Sequence, residues 1–291
     1  MSSTTAPQTA IRRAAVLPPW RDRAGRLSPL KLVVFLALLL PGLWILLQWR
    51  LDWLGSKPIT EALHQCGLWA ARLLGVTLAV TPFRYIGNWP KLFLVRRMLG
   101  LGALAYAILH VSLYVVQEAY DVPHVLSEIV LRFYLTIGAI GVVGLIILGA
   151  TSTDATIRRM GAAWHRLHLL IYPISALALL HFFIQTKINV YEAVLTTGLF
   201  VLLILYRLMR RFGLAYTPLS LLAAAAAGGA LTMAIEALWY GLATGVPGLA
   251  VLKANLNFDI AIRPGWWVAL AGAGVALLRL ARPAPPSRQR G

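Results

Sequence analysis

The stretch RRMLGLGALAYAILHVSLYVV, residues 96–116, opens on two arginines and then runs to Val116 without another charged side chain. At ~1.5 Å per residue, Met98–Val116 reaches ~28 Å as a helix, close to a bilayer core of about 30 Å. The stretch therefore predicts a membrane-spanning helix with a basic entry and one imidazole, His110, deep inside. Seven further windows have the same character: Leu30–Leu47, Leu63–Phe83, Phe133–Ala150, Leu167–Ile184, Ala193–Tyr206, Leu219–Tyr240 and Trp266–Leu280. Ala193–Tyr206 is the shortest and Trp266–Leu280 the most broken by glycine. The composition agrees: 59% of residues are hydrophobic, 13% are charged and the mean hydropathy is +0.73. A soluble domain needs far more polar surface, so the expected fold class is an all-α integral membrane bundle of about eight helices.

The net charge of +17 would suit nucleic acid, but its placement argues against that. With the N-terminus cytoplasmic, segments 1–29, 84–97, 151–166, 207–216 and 279–291 carry 19 Lys and Arg, and the outer segments 50–61, 117–130, 185–192 and 243–264 carry 5. Such asymmetry is the positive-inside pattern of a multi-pass chain in a bacterial inner membrane, with both termini cytoplasmic. The partner of the basic surface is then membrane lipid. A single cysteine, Cys66, excludes an internal disulfide, a cysteine-ligated iron–sulfur cluster and a C-x-x-C-H haem attachment.

Punctuation supplies the boundaries. Met1–Pro29 reads as a disordered cytoplasmic tail, and 283–291 as a second tail. Lys57-Pro58 and Thr81-Pro82-Phe83-Arg84 bracket the second helix, and Gly87-Asn88-Trp89-Pro90 makes a turn before the third. Asp121-Val122-Pro123 interrupts an outer loop. Thr151-Ser152-Thr153-Asp154 is suited to cap a short amphipathic stretch bearing Arg158 and Arg159. Pro173 predicts a kink near Leu169–Pro173. Residues 219–230 are nearly all Leu, Ala and Gly, which suggests close helix packing through small residues. No internal repeat is evident in the sequence.

Ionisable groups inside membrane helices are costly, so each is a candidate site. His110 lies about 12 residues into the third helix and His181 about 14 into the fifth, depths of ~18 and ~21 Å. Two imidazoles at matched depth suit axial ligation of one haem iron, which leaves no open position for oxygen. His168 lies ~20 Å further toward the cytoplasm, level with Arg96 and Arg97, and reads equally as an inner cofactor ligand or an interfacial group. Arginine does not ligate iron, but it pairs with haem propionates or a flavin phosphate. His64, at the outer end of the second helix, reads as an interfacial polar residue within reach of an outer haem edge. His165 beside Trp164 reads as headgroup-facing and His124 as solvated. Glu236 reads as an acid paired with a cation or a neighbouring helix, with proton handling as the minor alternative.

The run Arg96-Arg97-Met98-Leu99-Gly100-Leu101 followed by Leu109-His110 resembles the MsrQ (YedZ) family of the ferric reductase-like transmembrane superfamily. So do Leu63-His64-x-x-Gly67, Thr81-Pro82, Tyr134-Leu135-Thr136-Ile137-Gly138, Thr151-Ser152-Thr153, and Trp164-x-x-Leu167-His168 with Tyr172 and His181. The resemblance covers residues 30–211 and implies a six-helix haem-binding domain there, followed at 212–282 by two helices on which the family pattern is silent. It implies one or two b haems, with flavin mononucleotide as a further cofactor. His110, His168 and His181 fall on the family's haem-associated histidines. It also implies a non-catalytic electron-transfer subunit fed by a cytoplasmic flavin reductase or the quinone pool. Its acceptor would be a periplasmic molybdenum-containing, MsrP-like subunit that reduces methionine sulfoxide. Two other readings stay open: a quinol-oxidising cytochrome b anchoring another oxidoreductase, and a haem-free transporter suggested by Glu236 and the extra helices.

Overall fold

The computed structural model describes residues 18–22, 24–186, 189–259 and 261–282. Eight of its helical segments are long and apolar enough to cross a membrane, and no strand forms among the described residues. The helices are α1 (Pro29–Arg50), α2 (Pro58–Ile86), α3 (Arg96–Gln117), α4 (Val122–Leu131), α5 (Phe133–Ala150) and α6 (Asp154–Met160). They continue with α7 (Ala162–His168), α8 (Ile171–Thr186), α9 (Tyr191–Arg211), α10 (Pro218–Thr244), α11 (Gly248–Ala254) and α12 (Pro264–Ala281). A 3₁₀ turn, Pro90–Val95, leads into α3, and α7 with α8 forms one span interrupted at Leu169–Leu170.

The eight spans follow the hydropathy windows, and the differences are instructive. α2 does not stop at Thr81-Pro82 but runs through Pro82 to Ile86. Proline lacks the N–H that would bond the carbonyl four residues back, so Leu78 O is left free. Arg207 of α9 reaches across and donates Nη2 to that oxygen, and its Nε to the Tyr172 hydroxyl at 2.9 Å. α9 is likewise longer than its apolar window, at 21 residues, because Arg207 turns inward instead of ending the helix. Around Pro173 the break falls within the expected segment, between α7 and α8.

The two expected tails lie largely outside the described residues. The described part, residues 18–22 and 24–28, is a folded turn and not a disordered tail: Asp22 accepts from Ala24 N and Arg26 N, each at 2.9 Å, and Ser28 N donates to Trp20 O. Asp121 caps α4 by accepting from His124 N at 3.0 Å, so His124 sits on a helix rather than in a loop, and its side chain is exposed. Thr153 caps α6 as expected, accepting from Thr156 N at 3.1 Å.

α2 lies at the centre, packed against α3, α8 and α9, whereas α1 lies at the edge with most of its surface outward. α9 also packs on α10 and α12, so it joins the first helices to the C-terminal pair. The small residues of α10 do bring backbones together: a Cβ on Gly229 would lie 2.9 Å from Gly265 O, and one on Gly272 2.5 Å from Ala225 Cβ.

Candidate functional site

His110 on α3 and His181 on α8 face each other, with ring centroids 6.4 Å apart and planes at 80°. Each imidazole is fixed in the same way. His110 Nδ1 lies 2.9 Å from Leu63 O of α2, and His181 Nδ1 lies 2.8 Å from Tyr134 O of α5. A carbonyl oxygen can only accept, so Nδ1 carries the proton and Nε2 keeps its lone pair in both rings. Each ring also rests on a glycine one turn beyond its carbonyl. A Cβ on Gly67 would stand 2.9 Å from His110 Nδ1, and one on Gly138 would stand 2.9 Å from both His181 Nδ1 and Cε1. Only glycine leaves room for the rings at this separation.

The arrangement occurs twice in the chain. In both copies 47 residues separate the imidazole from its carbonyl. Leu63 and Tyr134, Gly67 and Gly138, and His110 and His181 share a single offset in sequence. Within this set only glycine and histidine are common to the two copies, which is why no repeat shows in the sequence.

What the pair can hold follows from its dimensions. An imidazole–metal bond of about 2 Å, plus about 1 Å from nitrogen to ring centre, places two rings on opposite sides of one ion with centres roughly 6 Å apart. The observed 6.4 Å fits. No group of three or more His, Cys, Asp or Glu side chains suited to a metal occurs among the described residues. Two opposed imidazoles without further protein ligands suit an iron whose remaining positions a macrocycle fills, and haem is such a group.

The other candidates are dispersed. His168, at the end of α7, stacks on Trp164 at 3.9 Å and places Nε2 3.3 Å from Ser152 Oγ. Ser152 Oγ also lies 2.7 Å from Leu148 O, to which it donates. His168 Nδ1 is buried and has no hydrogen-bond partner among the described residues. Arg97 turns away, pairing with Asp154 at 2.5 Å and reaching Ser152 O at 3.3 Å. Arg96 is half-buried and remains beside His168, Tyr172 and Arg207. His64 is exposed on α2, next to the Leu63 whose carbonyl holds His110, and His165 is exposed and meets Trp164 edge-on. Reading the sequence missed Gly67, Gly138 and Arg207. The signal for the glycines was available, since each stands in a motif with a fixed spacing to its histidine.

Glu236 of α10, only 2% exposed, accepts from Asn255 Nδ2 at 2.8 Å and from Arg263 Nη1 at 3.1 Å. It is paired, as a structural acid would be.

The pattern of the family described as "Ferric reductase like transmembrane component" matches residues 66–179, which include His110 and His168 and end two residues before His181. The chain is 39% identical over 210 residues to a protein of Xanthomonas campestris pv. campestris (strain 8004), covering 72% of this chain and 88% of the relative. That relative is called protein-methionine-sulfoxide reductase heme-binding subunit MsrQ. A protein of Rhodospirillum rubrum with the same designation is 35% identical over 191 residues, 65% of this chain and 89% of its own length. No solved structure matches the chain. With the matched length and the spacing of its histidines in view, the chain belongs to the MsrQ family within the ferric reductase-like transmembrane proteins.

Proposed function

We propose that this chain is a haem b-binding electron-transfer subunit of a protein-methionine-sulfoxide reductase system. It sits in the bacterial inner membrane and passes electrons outward to a periplasmic, molybdenum-containing MsrP-like partner. The observation that carries the reading is the facing pair His110 and His181, with both Nε2 lone pairs free and ring centres 6.4 Å apart. Bound there, haem supplies a one-electron couple with no open coordination position. The protein's part is to fix two tautomers through Leu63 O and Tyr134 O, which orients the rings and raises their basicity as ligands. Gly67 and Gly138 leave the space those rings need.

The excess of basic residues in its segments supports a cytoplasmic position for the His168 end of the bundle. There His168, whose buried Nδ1 has no hydrogen-bond partner among the described residues, would hold an inner cofactor, a second haem or flavin mononucleotide, and Arg96 would meet a propionate or phosphate. A cytoplasmic flavin reductase or the quinone pool would feed it. Residues 30–211 form the haem-binding domain in this reading, and the helices of 212–282 buttress it through α9. The transporter alternative loses its motive, because Glu236 is already paired with Arg263.

The test is a dithionite-reduced minus oxidised spectrum of the purified chain, which should show b-type α and Soret bands. His110→Ala and His181→Ala should each abolish them, whereas His168→Ala should leave the outer haem and slow reduction from the cytoplasmic face. Full haem retention in both of the first two variants would refute the assignment.

A further inference from the structure

α1 and α3 do not close on each other. Pro41 interrupts the α1 ladder, and Gly42 N, which a regular helix would direct to Leu38 O, donates instead to the Tyr106 hydroxyl at 2.7 Å. That hydroxyl donates on to Leu38 O at 2.8 Å, so a side chain of α3 is inserted into the backbone of α1. Beside this staple a crevice of about 1200 Å³ remains between the two helices. That exceeds the roughly 300–1000 Å³ of ordinary small-molecule pockets.

The crevice has a charged mouth and an apolar shaft. Arg21, Lys31 and Arg97 stand at the mouth, and Leu43, Leu46 and Leu109 line the far end. Lys31 and Leu46 lie on one helix, roughly 22 Å apart along its axis. Half of a bilayer of about 40–45 Å, headgroups included, is the same length. Two carboxylates also line the mouth, and both are paired: Asp154 with Arg97 at 2.5 Å and Asp22 with Arg26 at 3.3 Å. Arg21 donates to Gly25 O at 3.3 Å and Lys31 to Arg21 O at 2.9 Å. Neither forms an ion pair with a carboxylate among the described residues.

We propose that this crevice is a binding site for one anionic phospholipid. Its phosphate lies at Arg21 and Lys31, and an acyl chain runs along the α1–α3 interface as far as Leu46. The charge pattern selects the occupant. A zwitterionic lipid brings the same tail with a headgroup that neutralises itself, and a quinone brings a tail with no charge for the mouth.

Native mass spectrometry of the full-length purified chain, titrated with phosphatidylglycerol or phosphatidylcholine, tests this. The native chain should retain one phosphatidylglycerol in preference to phosphatidylcholine, and the preference should fall roughly five-fold for each charge lost in Arg21→Gln and Lys31→Gln. Ala105→Trp, which fills the shaft and leaves both cations in place, should lose the adduct altogether. Circular dichroism identifies any variant that fails to fold, and the double glutamine variant stands independently of Ala105→Trp. Equal retention of the two lipids by the native chain would overturn the proposal. So would an unchanged preference in the double variant, an adduct that survives in folded Ala105→Trp, or a stoichiometric quinone in place of the lipid.

Discussion

Glycine does opposite work in two regions of this bundle. In the first helices Gly67 and Gly138 give way to side chains, the His110 and His181 rings. In the C-terminal pair Gly229 and Gly272 give way to main chain or to alanine, and Gly265 to Gly229 O and the Met233 side chain, so α10 and α12 pack almost backbone to backbone. The polar groups follow the same division. Around the histidines, Nε2 of His110 and of His181 keep lone pairs that no donor among the described residues occupies. In the C-terminal pair Glu236 is held by Asn255 and Arg263, and Trp266 Nε1 donates to Asn255 O at 2.7 Å. One region keeps bare imidazole acceptors, whereas in the other the buried carboxylate is paired within the bundle.

Substitutions can break this contrast, and the largest expected effect lies at the paired carboxylate of the C-terminal helices. Glu236→Ala leaves Arg263 without its partner and should cost about 3 kcal/mol, the lower end of the about 3–5 for a broken buried pair, since Arg263 is partly exposed. Thermal unfolding in detergent would read this loss, and the haem spectrum of the folded fraction should not change. A coincident loss of haem would mean that the two regions are coupled. Next come Gly67→Ala and Gly138→Ala, whose added methyl meets an imidazole. Haem affinity should fall about 10–100-fold, the usual cost of disturbing the shell that orients a ligand, with little change in melting temperature. Haem titration of the stripped protein checks this. Gly272→Ala should do the reverse, costing about 1–3 kcal/mol of stability through overpacking against Ala225 and leaving haem affinity intact. The smallest effect belongs to Tyr106→Phe, which removes the bridge between Gly42 N and Leu38 O. About 1 kcal/mol is expected, read as faster amide exchange around Gly42.

The extent to which all this is legible in sequence depends on the range of the interaction. Hydropathy is local, and the eight spans follow from it. Counting along two helices also puts His110 and His181 at one depth. Contacts between distant positions are hidden. Pro82 looks like a helix end because nothing near it in sequence can bond Leu78 O, and Arg207, the donor, lies 129 residues away. Arg96 and Arg97 are neighbours in sequence, yet a helix turns them about 100° apart, so one faces His168 and the other Asp154. In the doubled glycine–carbonyl–imidazole arrangement the glycines and histidines share a spacing that sequence displays, whereas the carbonyls stay hidden because every residue has one and only its position matters. Asp22 likewise orders its turn through main-chain N–H groups, which composition cannot register.

Electron paramagnetic resonance of the oxidised, purified chain at low temperature tests the central assignment most directly. Two imidazoles on one ferric haem with planes near the observed 80° should give a strongly anisotropic low-spin signal, lost in both His110→Ala and His181→Ala. A high-spin signal from the native chain, or a low-spin signal that survives both substitutions, would contradict the account.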